Sequence, residues 1–182
     1  QSLTGIELPG EQAGSLGTLK TSFRDINFAT ASFGQGIAVT PLQLITAVSA
    51  IANGGQLMKP YILAGTQSQA VRRVISEEAA RQVTDMMVSA VKKAGVAQLP
   101  HYHIAGKTGT AQIPRRDGPG YSDKVIHTFV GYAPAFDPKF LVLLQLNEPQ
   151  GNRFAANTLT PAFHDLAEYI LNYYEVPPDE SR

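Results

Sequence analysis

A short run of glycine, lysine and threonine carries the clearest chemistry in this sequence: Gly106-Lys107-Thr108-Gly109-Thr110. Lys107 supplies a fixed positive charge. Thr108 and Thr110 supply hydroxyl groups on one face of a strand, because side chains two residues apart in a strand point the same way. Gly109 has no side chain, so a second backbone or a flat ligand can approach closely. The run predicts a site for a carboxylate lying along a strand edge, where backbone N–H groups can hold a developing oxyanion.

A bare Lys-Thr-Gly also occurs by chance at a solvated strand start, so the rest of the sequence has to decide between the two interpretations. The surrounding elements predict an α+β fold, in which an antiparallel sheet is flanked by helices. Three strands are expected at residues 103–112, 128–132 and 140–147. The last is almost continuously apolar, which predicts burial on both faces. The short link 133–139 predicts an antiparallel hairpin, and the longer polar link 113–127 predicts a loop that is either disordered or used in binding.

Three helices are expected around this sheet, beginning at Thr40-Pro41, at Ser76 and at Thr160-Pro161. Thr40 and Ser76 are suited to cap the first backbone N–H groups, and Gly95 to end the second helix. The first helix is predicted to lie in the core. The expected buried stripes are Val83, Met86, Met87, Ala90 and Val91 in the second helix and Phe163, Leu166, Ala167, Ile170, Leu171 and Tyr174 in the third. The first thirty residues are expected to be loop-rich, residues 61–63 a short strand, and the residues after Pro178 a polar tail.

Composition limits the function classes. The chain has 182 residues, the length of one compact domain, and its 15 basic and 15 acidic residues give a formal net charge of zero, so no nucleic-acid partner is indicated. It has no cysteine, which excludes disulfides and thiolate metal sites. No stretch approaches the ~18 apolar residues of a membrane helix. The chain begins at Gln1 without an initiator methionine or a secretion signal, so we expect it to be a processed chain or an excerpt from a longer one.

Histidines offer only weak alternatives. His101 and His103 could place two imidazoles on one strand face, but no acidic ligand pattern accompanies them, so no metal and no cofactor are predicted. A capping or packing role is favoured for His127. Gly34-Gln35-Gly36 follows no predicted strand and does not indicate a nucleotide site.

Several segments, in their order and spacing, resemble the transpeptidase domain of class B, high-molecular-weight penicillin-binding proteins. Lys107-Thr108-Gly109 is the third signature of the penicillin-binding proteins and serine β-lactamases. The other segments that resemble the class B group are GIELPGE at 5–11, GQGIAVTPLQL at 34–44, ANGG at 52–55, GKTGTAQ at 106–112 and FVGYAP at 129–134. The segment NEP at 147–149 and the helix after Thr160-Pro161 resemble the division-type members. The resemblance implies that residues 1–182 are the C-terminal portion of such a domain.

The resemblance implies roles for the individual residues of the run. Lys107 would hold the proton network around the nucleophile and attract the substrate carboxylate, which the hydroxyls of Thr108 and Thr110 would bind beside Gly109. The backbone N–H of Thr110 would supply half of the oxyanion hole. The substrate class would be peptidoglycan stem peptides ending in D-Ala-D-Ala, with β-lactams as mimics.

The sequence departs from the family pattern in one decisive way, since the Ser-x-x-Lys and Ser-x-Asn motifs of the family lie upstream of the segment that resembles residues 5–11 and are missing here. The one Ser-x-x-Lys spacing in this chain, Ser89 to Lys92, lies far downstream of that segment, inside the second predicted helix. Without the nucleophilic serine there is no acyl-enzyme, so this chain alone is expected to be inert and to depend on the missing N-terminal part. The intact protein is expected to be a D,D-transpeptidase at the extracytoplasmic face of the bacterial membrane, anchored by an upstream helix and working with cell-division membrane proteins. Two alternatives stay open: a non-catalytic penicillin- or peptidoglycan-binding module, and a β-lactamase or β-lactam sensor relative. Exposed edges left by the missing part predict that the isolated chain is aggregation-prone or rests on a partner chain.

Overall fold

The computed structural model describes residues 3–21 and 24–179, and it confirms an α+β fold with antiparallel sheets and helices. The first two residues and most of the polar tail expected after Pro178 lie outside the described residues. The elements are α1 Gly17–Thr21, α2 Asp25–Ser32, α3 Pro41–Ala52, β1 Gln56–Met58, β2 Ala70–Arg73, α4 Glu77–Ala94, β3 Ala105–Pro114, β4 Tyr121–Ala133, β5 Phe140–Asn147 and α5 Leu159–Tyr173, with a 3-10 turn at Ala155–Asn157.

The main sheet has the strand order β3-β4-β5, and both pairings are antiparallel. The hairpin predicted at 133–139 is therefore confirmed. β5 is not buried on both faces, as its apolar sequence suggested, but half-buried from Phe140 to Leu144 and exposed beyond. The reason is its position: among the described residues β5 pairs only with β4, so its outer edge and part of its surface have no neighbouring strand.

The link 113–127 is not a long loop. β3 continues to Pro114 and β4 begins at Tyr121, so only residues 115–120 turn, and the turn is closed by a hydrogen bond from the Arg115 N–H to the Gly120 carbonyl at 3.0 Å. β4 pairs with β5 as far as Ile126, which lies opposite the last residue of β5. The pairing of β4 with β3 continues beyond that point to Tyr121. The outer part of this hairpin is a two-stranded ribbon.

Helix α3 begins and ends where the sequence predicts, because Thr40 and Gln43 form a reciprocal capping box with each other's backbone N–H groups. Its predicted position in the core is wrong: Ala50 is its only buried residue, and the other apolar side chains are half-buried or exposed. A strongly apolar helix therefore remains partly uncovered.

Helix α4 is capped as predicted, by the Ser76 hydroxyl, which accepts from the Ala79 N–H at 3.1 Å, and by Gly95 in the left-handed conformation. Its predicted buried stripe is displaced around the helix. Only Val91 of that set is buried, and Met86 is 62% exposed. The buried row is Ala80, Thr84, Val88 and Val91. Thr84 can occupy it because its hydroxyl bonds to the Ala80 carbonyl and to the Tyr132 hydroxyl, a partner that the local sequence pattern does not reveal.

Helix α5 begins at Leu159, one residue before the predicted start, and presses Phe163, Ala167 and Leu171 into the core. Leu166 and Tyr174 of the predicted stripe are exposed, because the covered face is narrower than the apolar face of the helix. α5 packs on Phe129 and Ala133 of β4, whereas α3 and α4 pack around Tyr132 and Ala105 on the opposite face. The sheet therefore lies between two helical layers.

The N-terminal region holds more structure than its turn-forming residues suggested, since α1 and α2 occupy part of the expected loop. The strand expected at residues 61–63 is absent. The ladder instead joins β1 to β2, and it ends near Lys59, whose N–H donates to the Gln69 carbonyl at 2.9 Å, just before Pro60. No described helix has the length and apolar character needed to cross a membrane.

Candidate active site

The Lys-Thr-Gly-Thr run lies in the middle of β3, which is an edge strand of the sheet among the described residues. An antiparallel ladder alternates, so each residue of the central strand directs its backbone groups to one neighbour only. The N–H of Glu148 donates to the Val125 carbonyl at 3.0 Å, which continues the β4–β5 register and turns Val125 toward β5. By alternation, Thr128 and Val130 direct their backbone groups toward β3.

The same alternation fixes the open edge of β3. Lys107 pairs with Val130 and Gly109 with Thr128, so Lys107 and Gly109 form the ladder bonds with β4. Thr108 and Thr110 then direct their backbone N–H and carbonyl groups away from β4, to the edge without a neighbouring strand. An extended peptide could pair there, and the Thr110 N–H is available to an incoming oxygen.

The register also assigns the side chains to faces. Thr108 lies opposite Phe129 and Thr110 opposite His127, both on the α5 side of the sheet, so the two hydroxyls share a face as the sequence predicts. Gly109 lies on the other face, where a Cβ would stand 2.4 Å from the Thr128 hydroxyl oxygen. A side chain at this position would therefore force the Thr128 hydroxyl to move.

Lys107 is exposed, and its ammonium group donates to the Thr108 carbonyl at 2.5 Å. That carbonyl is one of the groups on the open edge of β3. The positive charge thus stands beside the outward N–H groups, where a carboxylate or an oxyanion would be attracted by both.

Thr110 is held by a segment that sequence reasoning did not connect to the site. Its hydroxyl oxygen accepts a hydrogen bond from the Ala155 N–H at 3.1 Å. Since an accepting hydroxyl keeps its own proton, the O–H of Thr110 can donate to a ligand. His127, completely buried beside Thr110, bonds through Nδ1 to the Thr158 hydroxyl at 2.9 Å and through Nε2 to the Arg153 carbonyl at 3.1 Å. These contacts agree with the packing role favoured for His127, and no local pattern in the sequence could have located its partners.

A polar cleft of about 950 Å³ opens beside Thr110, between the outer part of the β3–β4 hairpin and residues 148–154. Its walls include the Lys124–Glu148 ion pair, with a nitrogen-to-oxygen distance of 2.5 Å, and the exposed ring of Phe154. The cleft is large enough to continue a peptide-binding edge past the run.

The weaker histidine candidates lie elsewhere. The backbone N–H of His103 donates to the Asp179 carboxylate at 2.8 Å and its ring lies 3.3 Å from the other carboxylate oxygen, while His101 is exposed. Within residues 3–21 and 24–179, no group of His, Asp and Glu side chains is placed to hold a metal ion.

The chain is similar to known proteins along nearly its whole length. Residues 1–168 match the family described as the penicillin binding protein transpeptidase domain. Peptidoglycan D,D-transpeptidase FtsI of Escherichia coli K12 is 34% identical over 181 residues, which cover 97% of this chain and 30% of that protein.

Solved structures are similar over nearly the whole chain. The transpeptidase domain of Burkholderia pseudomallei penicillin-binding protein 3 superposes with a TM-score of 0.83 at 32% identity, covering 97% of this chain and 54% of that one. Penicillin-binding protein 3 of Mycobacterium tuberculosis, solved with ampicillin, gives a TM-score of 0.83 at 28% identity and covers 98% of this chain and 44% of that one. The chain thus spans only part of the length of the proteins that it matches.

Proposed function

Because this chain belongs to the penicillin-binding protein transpeptidase family, we propose that it is the C-terminal part of a serine-type peptidoglycan D,D-transpeptidase. Its contribution is the strand that binds the substrate carboxylate and half of the oxyanion hole. The observation that carries the proposal is the open edge of β3, where the Lys107 ammonium and the outward N–H groups of Thr108 and Thr110 stand together.

In the proposed reaction, a serine outside this chain attacks the carbonyl of the penultimate D-alanine of a stem peptide. The carbonyl oxygen becomes negatively charged in the tetrahedral intermediate, and the N–H of Thr110 stabilises it. The carbon–nitrogen bond then breaks, and D-alanine leaves as an amine with the proton that the serine hydroxyl gave up. The amine of a neighbouring peptide attacks the acyl-serine ester and forms the new amide, while its proton passes to the serine oxygen as the ester bond breaks. A β-lactam enters the same path when its ring amide is attacked, and the ring carboxylate binds where the terminal carboxylate would.

The remaining proposals follow from the resemblance and from the domain match. The intact protein would act at the extracytoplasmic face of the membrane, anchored by a helix that precedes this chain, and would work with cell-division membrane proteins. The chain alone would be inactive, since it lacks the upstream Ser-x-x-Lys and Ser-x-Asn motifs of the family. Its one Ser-x-x-Lys spacing, Ser89 to Lys92, lies inside α4 with Ser89 half-buried, not upstream of residues 5–11 as in the family. A non-catalytic binding module remains the alternative if no serine joins the strand.

Labelling with a fluorescent penicillin tests the proposal. The chain alone should show no adduct by intact mass, and the longer protein that includes the upstream part of the domain should show one adduct per molecule. A stoichiometric adduct on the chain alone would contradict the assignment of the nucleophile to the missing part. An unlabelled longer protein that still binds the penicillin would favour the binding module.

Two substitutions at one position then separate the two roles of Thr110. Thr110→Val keeps the backbone N–H and removes the hydroxyl, so acylation should slow by about 10-fold to 100-fold, the range for a hydrogen bond to a charged group. Thr110→Pro removes both the hydroxyl and the backbone N–H. The sheet tolerates proline here, because β3 is an edge strand and the Thr110 N–H forms no hydrogen bond with β4. Loss of an oxyanion donor should slow acylation by about a further 100-fold to 1,000-fold. Equal rates for the two variants would refute the oxyanion role.

A further inference from the structure

His127, which the proposed reaction does not use, is the centre of a hydrogen-bonded chain that ends on Thr110. It faces Thr110 directly across the β3–β4 pairing, yet its ring bonds to neither strand. Both ring nitrogens instead bond to the segment between β5 and α5. His127 is completely buried, and both of its ring nitrogens form hydrogen bonds with the same loop, so the side chain fixes the position of that loop.

The proton arrangement around the ring follows from the chemistry of its partners. The Arg153 carbonyl can only accept, so Nε2 of His127 carries a proton and donates. In a ring with a single proton, Nδ1 is then the acceptor. The Thr158 hydroxyl donates to Nδ1 at 2.9 Å in preference to the Ala155 carbonyl, which lies farther away at 3.3 Å. The two bonds hold the segment on both sides of the 3-10 turn, one at Arg153 and the other at Thr158.

The turn held in this way contains the group that touches the site. Ala155, at the start of the 3-10 turn, is fully buried, and its N–H donates to the Thr110 hydroxyl at 3.1 Å. This bond occupies a lone pair of the hydroxyl and leaves its proton for a ligand. If the segment moved by an ångström, the Ala155 bond would lengthen, and the Thr110 hydroxyl would be free to rotate away from the ligand.

We propose that His127 is a positioning residue: through Arg153 and Thr158 it holds the 153–158 segment against the sheet, so that the Ala155 N–H orients the Thr110 hydroxyl toward the substrate carboxylate. This inference rests on the proposed carboxylate-binding role of Thr110. His127, which lies outside the Lys-Thr-Gly run, thus contributes to substrate recognition only through Thr110.

The experiment uses the longer protein that carries the serine, and compares acylation by a penicillin with acylation by the methyl ester of the same penicillin. Thr158→Val removes the hydroxyl and keeps the side-chain shape, while His127→Phe removes both ring bonds and keeps a buried ring. Each variant should slow acylation by the free acid about tenfold, and by the ester less than twofold, because only the acid needs the Thr110 hydroxyl to donate to a carboxylate. His127→Gln, which can still donate to Arg153, should recover part of the rate.

A control variant separates this effect from general destabilisation. Tyr132→Phe removes a buried hydrogen bond, the 2.7 Å contact with Thr84, on the opposite face of the same strand. It should leave the ratio of acid to ester rates unchanged. If it changes that ratio as much as Thr158→Val does, the effect of Thr158→Val is structural and the inference is wrong.

A double-mutant cycle distinguishes failure of the inference from failure of the proposed function. In a Thr110→Val background, Thr158→Val and His127→Phe should cause no further change in the ratio of the acylation rates with the free acid and with the methyl ester. If Thr110→Val itself leaves the acid-to-ester ratio unchanged, the carboxylate role of Thr110 is wrong and the inference falls with it. If Thr110→Val changes the ratio but Thr158→Val does not, the positioning role alone is refuted. Should His127→Phe fail to fold, Thr158→Val decides the outcome.

Discussion

Substituting Gly131 by alanine should loosen the attachment of α5 to the sheet. A Cβ on Gly131 would stand 2.8 and 2.9 Å from two ring atoms of Phe163 and 3.0 Å from a ring atom of Phe129. Nonbonded carbon atoms prefer about 3.5–4.0 Å, so the rings must retreat by roughly half an ångström or more. Neither has room to do so, because Phe163 is 0% exposed, Phe129 is 1% exposed, and their ring centroids are only 4.7 Å apart.

The expected cost lies at the upper end of the range for an overpacked core, about 3 kcal/mol of the free energy of unfolding. For a chain of this size, that corresponds to a fall in melting temperature of about 6–12 °C. Urea unfolding followed by far-UV circular dichroism measures the cost directly. Gly118→Ala is a suitable control, because an added Cβ at that glycine meets no atom within 4 Å.

A second substitution tests the physical cause. Phe163→Leu shortens the side chain and removes the ring atoms that clash, so Gly131→Ala should cost less than about 1 kcal/mol in that background, a coupling expected between residues in contact. Equal costs of Gly131→Ala in the two backgrounds, or a Gly131→Ala variant as stable as wild type, would show that α5 can shift at little cost. The argument from ring contacts would then be wrong.

Three further outcomes are expected. Burial raises the pKa of the Tyr132 phenol above its usual value near 10, and the hydrogen bond with Thr84 lowers it by a smaller amount. Since the pKa of Tyr132 is higher in the folded chain than in the unfolded chain, the neutral phenol stabilises the fold fully below about pH 10. This stabilisation is lost as the pH rises through the folded pKa. Tyr132→Phe should therefore make the free energy of unfolding depend less on pH in the alkaline range, as measured by unfolding curves at several pH values. Ser76→Ala should cost about 1 kcal/mol in thermal unfolding, because Ala79 loses its capping acceptor. Gly95→Ala should cost about 1 kcal/mol by the same measurement, because Gly95 ends α4 at a φ of 65° that alanine adopts poorly; an unchanged melting temperature in either variant would contradict its role at that helix end.

The sequence is sufficient to predict those features that depend on neighbouring residues. Capping at Thr40, Ser76 and Gly95 is a local matter, and each predicted helix boundary there agrees with the structure. The hairpin 133–139 is equally local, since a short link leaves β4 and β5 little choice but to pair. The face shared by Thr108 and Thr110 follows from strand alternation alone.

Features decided by distant partners could not be predicted. Thr84 is buried because it meets Tyr132 across 48 positions, and a pattern that assigns threonine to the outside places the buried stripe of α4 incorrectly. β5 was expected to be buried because its composition is apolar, but it is an edge strand of the sheet among the described residues, and an apolar run does not reveal that position. The contact of Ala155 with Thr110 is made by a backbone N–H, a group that every residue except proline carries, so the residue type at 155 does not reveal it.

The two-stranded ribbon at the end of the β3–β4 hairpin has a mechanical consequence. Past Val125, whose carbonyl still accepts from the Glu148 N–H, β4 pairs with β3 alone. Two strands twist more and bend more easily than three. At its tip, the Tyr121 hydroxyl accepts a hydrogen bond from the Gly36 N–H at 3.1 Å, which ties the ribbon to the loop after α2. A few residues added at 116–119 would lengthen the overhang without shifting the register of the sheet. The tip is therefore the place where a fluorophore or epitope can be attached to report on the molecule while the rest of the fold is undisturbed.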